Sequence, residues 1–316
     1  MGHIDWLSSG PREAASAGGK AASLSRLVQG GFGVPMGFVI NVEAFRRFRS
    51  DAGLDEVAEV SLGPDALGDR DALRVTAARL QAAVVGAAMP VELRAEILGA
   101  YAELAQRCGP AVAVRSSATS EDGSASSFAG LFDTYLNIVG PGAVIEAVQR
   151  CYASMWSERV LGYHVRRGRE AGGAMAVLVM RMVQAETSGV VFTAHPVTGA
   201  LDQVVINATW GLGDAIVSGA VTPDSYVFAK ETFDLLEHET STKEMAVIAK
   251  TVGSGVAETE LDATRANAAS LDEETAREVA RVACQVESYF GSPQDIEFAC
   301  SEGRLYILQS RPITTL

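Results

Sequence analysis

The C-terminal stretch constrains the fold most. Asp295 to Cys300 and Leu305 to Gln309 alternate apolar with polar residues, and Glu302-Gly303 between them supplies a two-residue turn. The pattern predicts a β-hairpin with Glu297 between apolar Ile296 and Phe298, and with Gln309 and Arg311 two residues apart on one face. Folding at Glu302-Gly303 brings Glu297 to within a residue or two of facing Gln309. A carboxylate and an amide oxygen so placed could ligate magnesium, with Arg311 neutralising an adjacent phosphate. A plain hairpin with its polar face in water has the same pattern.

Upstream, Gly18-Gly19-Lys20 leads into a short helix ending at Gly30-Gly31, and Val34 to Ile40 reads as a strand entered through a turn. Glu43 to Arg49 reads as a helical turn or two, and residues 50 to 70 as a surface loop. Asp71 to Ala88 and Pro90 to Arg107 fit amphipathic helices, the second with Leu93, Ile97, Tyr101 and Leu104 on one face. Ala111 to Val114 predicts a short strand delivering Arg115, and Ser116 to Ser127 a small-residue loop. A strand near Phe132 to Ile138, helices at about 142–156 and 157–167, strands within Ala174 to Phe192 and Gln203 to Ala208, and a helix over Asp272 to Phe290 complete the pass. Helices interleaved with hairpins point to an α+β chain rather than a regular βαβ winding. At 316 residues two domains are the prior, and the boundary is expected near 190–200, giving 1–195 and 196–316.

Composition narrows the function. With 26 basic against 39 acidic residues the net charge is -13, so no broad cationic surface exists for nucleic acid. A phosphate ligand would need a few placed Lys and Arg groups, backbone N–H groups and a divalent cation. Cys108, Cys151, Cys284 and Cys300 form no C-x-x-C pair and read as reduced, buried, small apolar residues. The apolar run Ala174 to Val183 is interrupted by Arg181 and is about half a membrane span. No apolar core of a secretory signal appears near the N-terminus, so a cytoplasmic protein without a membrane partner is expected.

P-loop, zincin and nucleophile-elbow patterns are missing. Gly18-Gly19-Lys20 could set an ammonium and helix N–H groups beside a phosphate, although alone it reads more simply as a glycine cap with a solvated lysine. Arg115, opening Arg115-Ser116-Ser117-Ala118-Thr119, could close on a triphosphate, or equally be an edge-strand arginine in a surface salt bridge. His3, His164, His195 and His238 have no ligand or relay spacing. Met175, Met180 and Met182 read first as core, although backbone near Met182 could meet a nucleobase.

Together, Gly18-Gly19-Lys20, Val34-Pro35-x-Gly37-Phe38, Val114 to Thr119, Ser188 to Thr193 and Gln309-x-Arg311-Pro312 carry a resemblance. In order and spacing they are similar to the ATP-grasp nucleotide-binding domain of the phosphoenolpyruvate synthase and pyruvate phosphate dikinase family, which includes rifampicin phosphotransferase and the aryl phosphate synthases. The resemblance covers essentially the whole chain. It implies two α+β lobes with ATP in the cleft between them. It also implies that Lys20 and Arg115 bind phosphate, Gly130 and Thr134 belong to the loop over the phosphates, Met180 occupies the position of a nucleotide contact, Glu297 and Gln309 ligate Mg2+, and Arg311 binds phosphate.

The resemblance further implies chemistry in which ATP becomes AMP and phosphate, while the β-phosphoryl group passes to a histidine on a swivelling domain and then to a small-molecule acceptor such as pyruvate, a phenol or a rifamycin. Met180 stands where the family often has Gln, Leu131-Phe132 where polar residues are usual, and Asp214 where Glu is frequent. Nothing resembling the histidine swivel segment occurs in the sequence, so carrier and acceptor sites are expected elsewhere, on another subunit or the remainder of a longer chain. Two other readings are a self-contained ATP-grasp ligase releasing ADP and a non-catalytic ATP-binding regulatory subunit.

Overall fold

A computed structural model describes residues 2–61, 70–119, 132–166 and 173–314, without the side chains of 59–61 and 164–166. The chain divides into two compact units, Met1–Ser25 with Met36–Met182, and Arg26–Pro35 with Val183–Leu316. The sequence expectation was a single cut at 195/196. Contacts instead group Val183 to His195 and the distant Arg26–Pro35 with the second unit.

In chain order the first unit contains β1 (Ile4–Trp6), α1 (Ala14–Gln29), β2 (Gly37–Ile40), α2 (Val42–Asp51), α3 (Leu54–Ser61), α4 (Arg70–Gly86), α5 (Val91–Cys108), β3 (Ala111–Ala118), β4 (Thr134–Val139), α6 (Pro141–Ala153), α7 (Glu158–Arg166) and β5 (Met175–Arg181). α1 continues to Gln29, beyond the first unit's Ser25. The strands form an antiparallel sheet in the order β1-β2-β5-β3-β4. One face carries Phe38, Ile40, Val112, Val114, Val177 and Val179 into a core with Phe45, Phe48, Leu80, Leu93, Ile97 and Tyr152.

Local chemistry explains several boundaries. Asn41 caps α2 by accepting from Ala44 N at 3.3 Å, and Pro141 opens α6, where a missing N–H costs nothing. The buried stripe Leu73, Ala77, Leu80 and Val84 on α4 matches the amphipathic pattern. Two expectations change. Leu54–Ser61 is helical, so the expected 50–70 loop is at least half helix over its described part. Ser116 to Ala118 continue β3, because Ser116, Ser117 and Ala118 pair with Val177, Ala176 and Met175. The remaining expected loop residues, from Ser120 onward, lie outside the described residues.

The second unit contains β6 (Thr187–Phe192), β7 (Gln203–Trp210), α8 (Asp214–Val217), β8 (Asp224–Ala229), β9 (Leu235–Glu239), β10 (Met245–Ala249), β11 (Val256–Glu260), α9 (Ala263–Ala266), α10 (Glu273–Phe290), β12 (Gln294–Ser301) and β13 (Arg304–Pro312). Six strands pair antiparallel in the order β13-β12-β6-β7-β8-β9, and β10 with β11 forms a separate hairpin. α10 starts at Asp272, whose carboxylate accepts from Thr275 N at 2.7 Å, and ends at left-handed Gly291. Its buried Ala276, Val279, Ala280, Ala283 and Val286 cover one sheet face, to which register assigns Val191, Ile206, Tyr226, Ile296 and Phe298.

Asp224 and Lys243 are completely buried and meet at 2.5 Å. Asp224 also accepts from Ser241 N (2.9 Å), Ser270 N (2.6 Å) and Ser270 Oγ (2.7 Å), while Lys243 donates to Ser241 O (2.8 Å). The pair pins the start of β8 to the segments entering β10 and α10. None of the four cysteines forms a disulfide, as expected; only Cys151 is fully buried, and the other three are half-buried. No helix among the described residues is long and apolar enough to cross a membrane.

Breaking the buried pair leaves a buried carboxylate without its counter-charge. Lys243→Met should therefore destabilise the protein by about 3–5 kcal/mol in urea denaturation, and adding Asp224→Asn should recover part of the loss. A single variant as stable as the parent would show that the pair does not hold these segments.

Candidate functional site

In the first unit, the face of the sheet opposite the helical core carries Arg115 and Ser117 of β3 with Leu178 and Met180 of β5, and β4 adds Thr134 directly opposite Arg115. β3 lies between β5 and β4, and Arg115 is 8% exposed, so the edge-strand salt-bridge alternative does not hold. The N-terminal part of α1 meets the same strand. Gly18 breaks the helical run with φ 73° and ψ 166°, a conformation open essentially to glycine. A Cβ there would lie 1.9 Å from Ser117 O. The resumed helix is capped by Ser117, whose Oγ accepts from Ala21 N at 3.1 Å.

Lys20 is thereby turned inward rather than solvated. It is 8% exposed and donates to Ser116 O at 3.3 Å. Two side chains separated by almost a hundred residues thus bring an ammonium and a guanidinium to one strand, a local concentration of positive charge in an acidic protein. Met180 is buried on the Arg115 face, paired with Ala113 and Gly37. Met182 is buried too, and its N–H already donates to Ala111 O at 3.0 Å. Gly130 and Leu131 lie outside the described residues, and Phe132 packs into the helical core.

In the second unit, the hairpin forms with both turn residues at positive φ, Glu302 at 52° and Gly303 at 69°. Counting back from Ser301↔Arg304, a regular ladder would set Glu297 opposite Leu308. A bulge between Glu297 and Phe298 makes Leu308 the extra residue, so Glu297 pairs directly with Gln309 and Asp295 with Arg311. All four side chains share the face opposite α10. Arg311 donates from Nε (2.8 Å) and Nη2 (2.5 Å) to the same Asp295 oxygen, Oδ2. Burial pushes the Asp295 carboxyl above the usual range; Arg311 opposes the shift, and the neighbouring Glu297 charge adds to it.

Asp295 is the residue that sequence reasoning passed over. Its signal was the repeated spacing Asp295-x-Glu297 and Gln309-x-Arg311, which sets two polar pairs on facing strands. Glu297 and Gln309 offer hard oxygen donors side by side, a fit to Mg2+ with further ligands from phosphate and water. Among the described residues no group of three or more His, Cys, Asp or Glu side chains is placed to hold a metal.

The histidines with described side chains have structural roles. His3 Nδ1 meets Glu96, His195 Nδ1 accepts from Val197 N and Thr198 N, and His238 stacks on Tyr226 at 4.4 Å. In the Gly-Leu-Gly segment, Gly211 (φ 75°) lets Val247 O approach to where a Cβ would be 2.3 Å away, and Asp214 is exposed at the start of α8.

These sheets and helices define an α+β nucleotide-binding domain of ATP-grasp type. Residues 14–316 match the AMP/ATP-binding domain of pyruvate phosphate dikinase, and the chain belongs to that family. It is 38% identical to a probable phosphoenolpyruvate synthase of Methanocaldococcus jannaschii over 323 residues, covering 100% of this chain and 27% of that protein. It is 40% identical to a rifampicin phosphotransferase of a Streptomyces species (96% of this chain, 35% of that protein) and 37% identical to a phosphoenolpyruvate synthase of Pyrococcus furiosus (95% and 42%). The chain therefore spans between a quarter and a half of the length of these relatives.

Gly18 is the joint that seats Lys20. Gly18→Ala should cost at least about 2 kcal/mol, from a forbidden backbone conformation and from contact with Ser117 backbone that cannot yield. Thermal denaturation measures it, and a neutral substitution would mean that α1 does not need this close approach.

Proposed function

We propose that this chain is the ATP-binding, phosphoryl-donating part of a dikinase-type phosphotransferase and that its two units are the two ATP-grasp lobes. The observation that carries the reading is the register pairing of Glu297 with Gln309 and of Asp295 with Arg311 on one face of the terminal hairpin. Lys20, Arg115, Gly130 and Thr134 bind the phosphates in this reading, and Met180 and Met182 lie at the nucleotide. The service of both residue sets to a single ATP comes from the family resemblance.

Glu297 and Gln309 would hold Mg2+, which when bound neutralises phosphate charge and orients the phosphate oxygens. Lys20 and Arg115 supply fixed positive charge to the polyphosphate. Arg311, held by two hydrogen bonds to Asp295, is presented in one orientation and so stabilises charge that develops during transfer without reorganising. The β-phosphoryl group goes to a histidine on a swivelling domain, leaving AMP and inorganic phosphate, and from there to a small-molecule acceptor of the pyruvate, phenol or rifamycin kind. The length of the relatives supports further domains acting with this one, and the proposed setting is the cytoplasm.

Separate roles should give separate defects. Glu297→Ala is expected to weaken magnesium-dependent ATP binding in calorimetry, whereas Arg311→Ala should lower turnover more than affinity. If both variants merely unfold, with the folded fraction fully active, the hairpin is only a structural element.

Nucleotide chromatography tests the reaction class. Supplied with a protein carrying a swivel histidine, the chain should convert ATP to AMP and phosphate and leave an acid-labile phosphohistidine on that partner; alone, it should be nearly inactive. ADP as the sole product would select the ligase reading, and ATP binding without turnover under any pairing the regulatory one.

A further inference from the structure

The six-stranded sheet of the second unit carries one lateral row of residues that reaches past the terminal hairpin. On the face opposite α10, register links Gln309 of β13 to Glu297 of β12, Glu297 to Val190 of β6, Val190 to Asn207 of β7, Asn207 to Ser225 of β8 and Ser225 to Glu239 of β9. Asn207 stands two strand spacings from Glu297, about 10 Å, with only the short apolar Val190 between.

Several other buried polar groups of this unit have partners. Ser188 Oγ donates to Gly211 O, Thr193 Oγ1 accepts from Gln294 N, Ser310 Oγ donates to Gln294 Oε1, and Asp224 accepts from Ser270. The strip on β7 differs. The Asn207 amide is half-buried and makes no side-chain hydrogen bond to the described residues. Thr209, two residues on and on the same face, is fully buried, and its Oγ1 has no hydrogen-bond partner among the described residues. Asn207, half-buried on the face opposite α10, can therefore be completed only from outside the sheet.

We infer that Asn207 donates its side-chain amide N–H to a phosphate oxygen of ATP. The inference rests on the nucleotide reading above and extends its contact set to β7. Asn207 stands two strand spacings from Glu297, with Val190 between them, so it lies beside the Glu297–Gln309 pair rather than within it. The face already carries the carboxylates of Asp295 and Glu297, and a neutral donor can meet an anion there without adding charge of either sign. A triphosphate held at the hairpin and lying across β6 would pass directly over this amide.

Calorimetry of Mg·ATP binding to the 316-residue chain tests it. Asn207→Ala should weaken binding about tenfold, the loss of a hydrogen bond to a charged acceptor. Asn207→Asp should weaken it further, because a carboxylate repels the phosphate. Mn2+ affinity without nucleotide, read by electron paramagnetic resonance, should be unchanged by Asn207→Ala. Melting temperatures of the free variants should match the parent, and Asn207→Ser serves if the alanine variant folds poorly. If the parent binds Mg·ATP while the alanine and serine variants bind as tightly, the inference fails and the nucleotide reading stands. Tighter binding by Asn207→Asp, or loss of Mn2+ affinity in Asn207→Ala, makes Asn207 a metal ligand instead and also overturns it. A parent that does not bind Mg·ATP removes both.

Discussion

One extra residue in the terminal hairpin decides which side chains the second unit presents. Strand pairing has a period of two, so a slip of one residue moves an entire polar set to the opposite face. Without the bulge at Glu297/Phe298, Gln309 would pair with Ile296 and Arg311 with Gln294, on the face covered by α10. Leu308 absorbs the slip. The near half of the hairpin keeps Phe298 and Ile307 in register for the core, while the far half turns Glu297, Gln309, Asp295 and Arg311 away from α10. A single irregularity thus reconciles a packed core with a polar site on the same two strands.

The first unit solves the matching problem with a glycine. Lys20 and Arg115 come together because α1 can approach β3 closely enough for Ser117 to cap it, which requires no side chain at residue 18. The approach seats Lys20 against Ser116 and leaves the opposite face of the sheet free to pack against the helices. In both units the proposed site residues sit on the sheet face that the apolar core does not use.

Local signals carried much of this into the sequence. The hairpin was legible because Glu302-Gly303 between two alternating runs has few other readings, and α4, α5 and α10 because their apolar spacing is regular and, for α5 and α10, their ends are marked. Most of the misses share a physical cause, partners distant in sequence. Ser116 to Ala118 look like loop by composition but are held in β3 by partners some sixty residues away. Lys20 looks solvated until Ser116 and Ser117 are placed beside it. The Arg26–Pro35 segment joins the second unit through Tyr289 Oη donating to Arg26 O and Ile307 N donating to Gly33 O, bonds no local pattern announces. Leu54–Ser61 was hidden by the glycines flanking a short apolar repeat.

An acidic chain proposed to bind a polyanion raises a question that magnitudes settle. A carboxylate about 10 Å from a phosphate across water repels it by roughly 0.4 kcal/mol, and salt at physiological strength screens most of that. A guanidinium about 4 Å away near a protein surface attracts the same charge by roughly 4 kcal/mol. Ten distant surface carboxylates are therefore needed to cancel one placed cation. Many of the acidic residues among the described ones are tied to their own cations, such as Glu92 to Arg47 and Glu287 to Lys230. Net charge consequently excludes loose binding of polyanions along the surface but does not prevent a few buried cations from selecting one at a defined place. The carboxylates nearest the hairpin are the ones that matter. There Asp295 is offset by Arg311, and Glu297 finds its counter-charge in the metal proposed to bind beside Gln309.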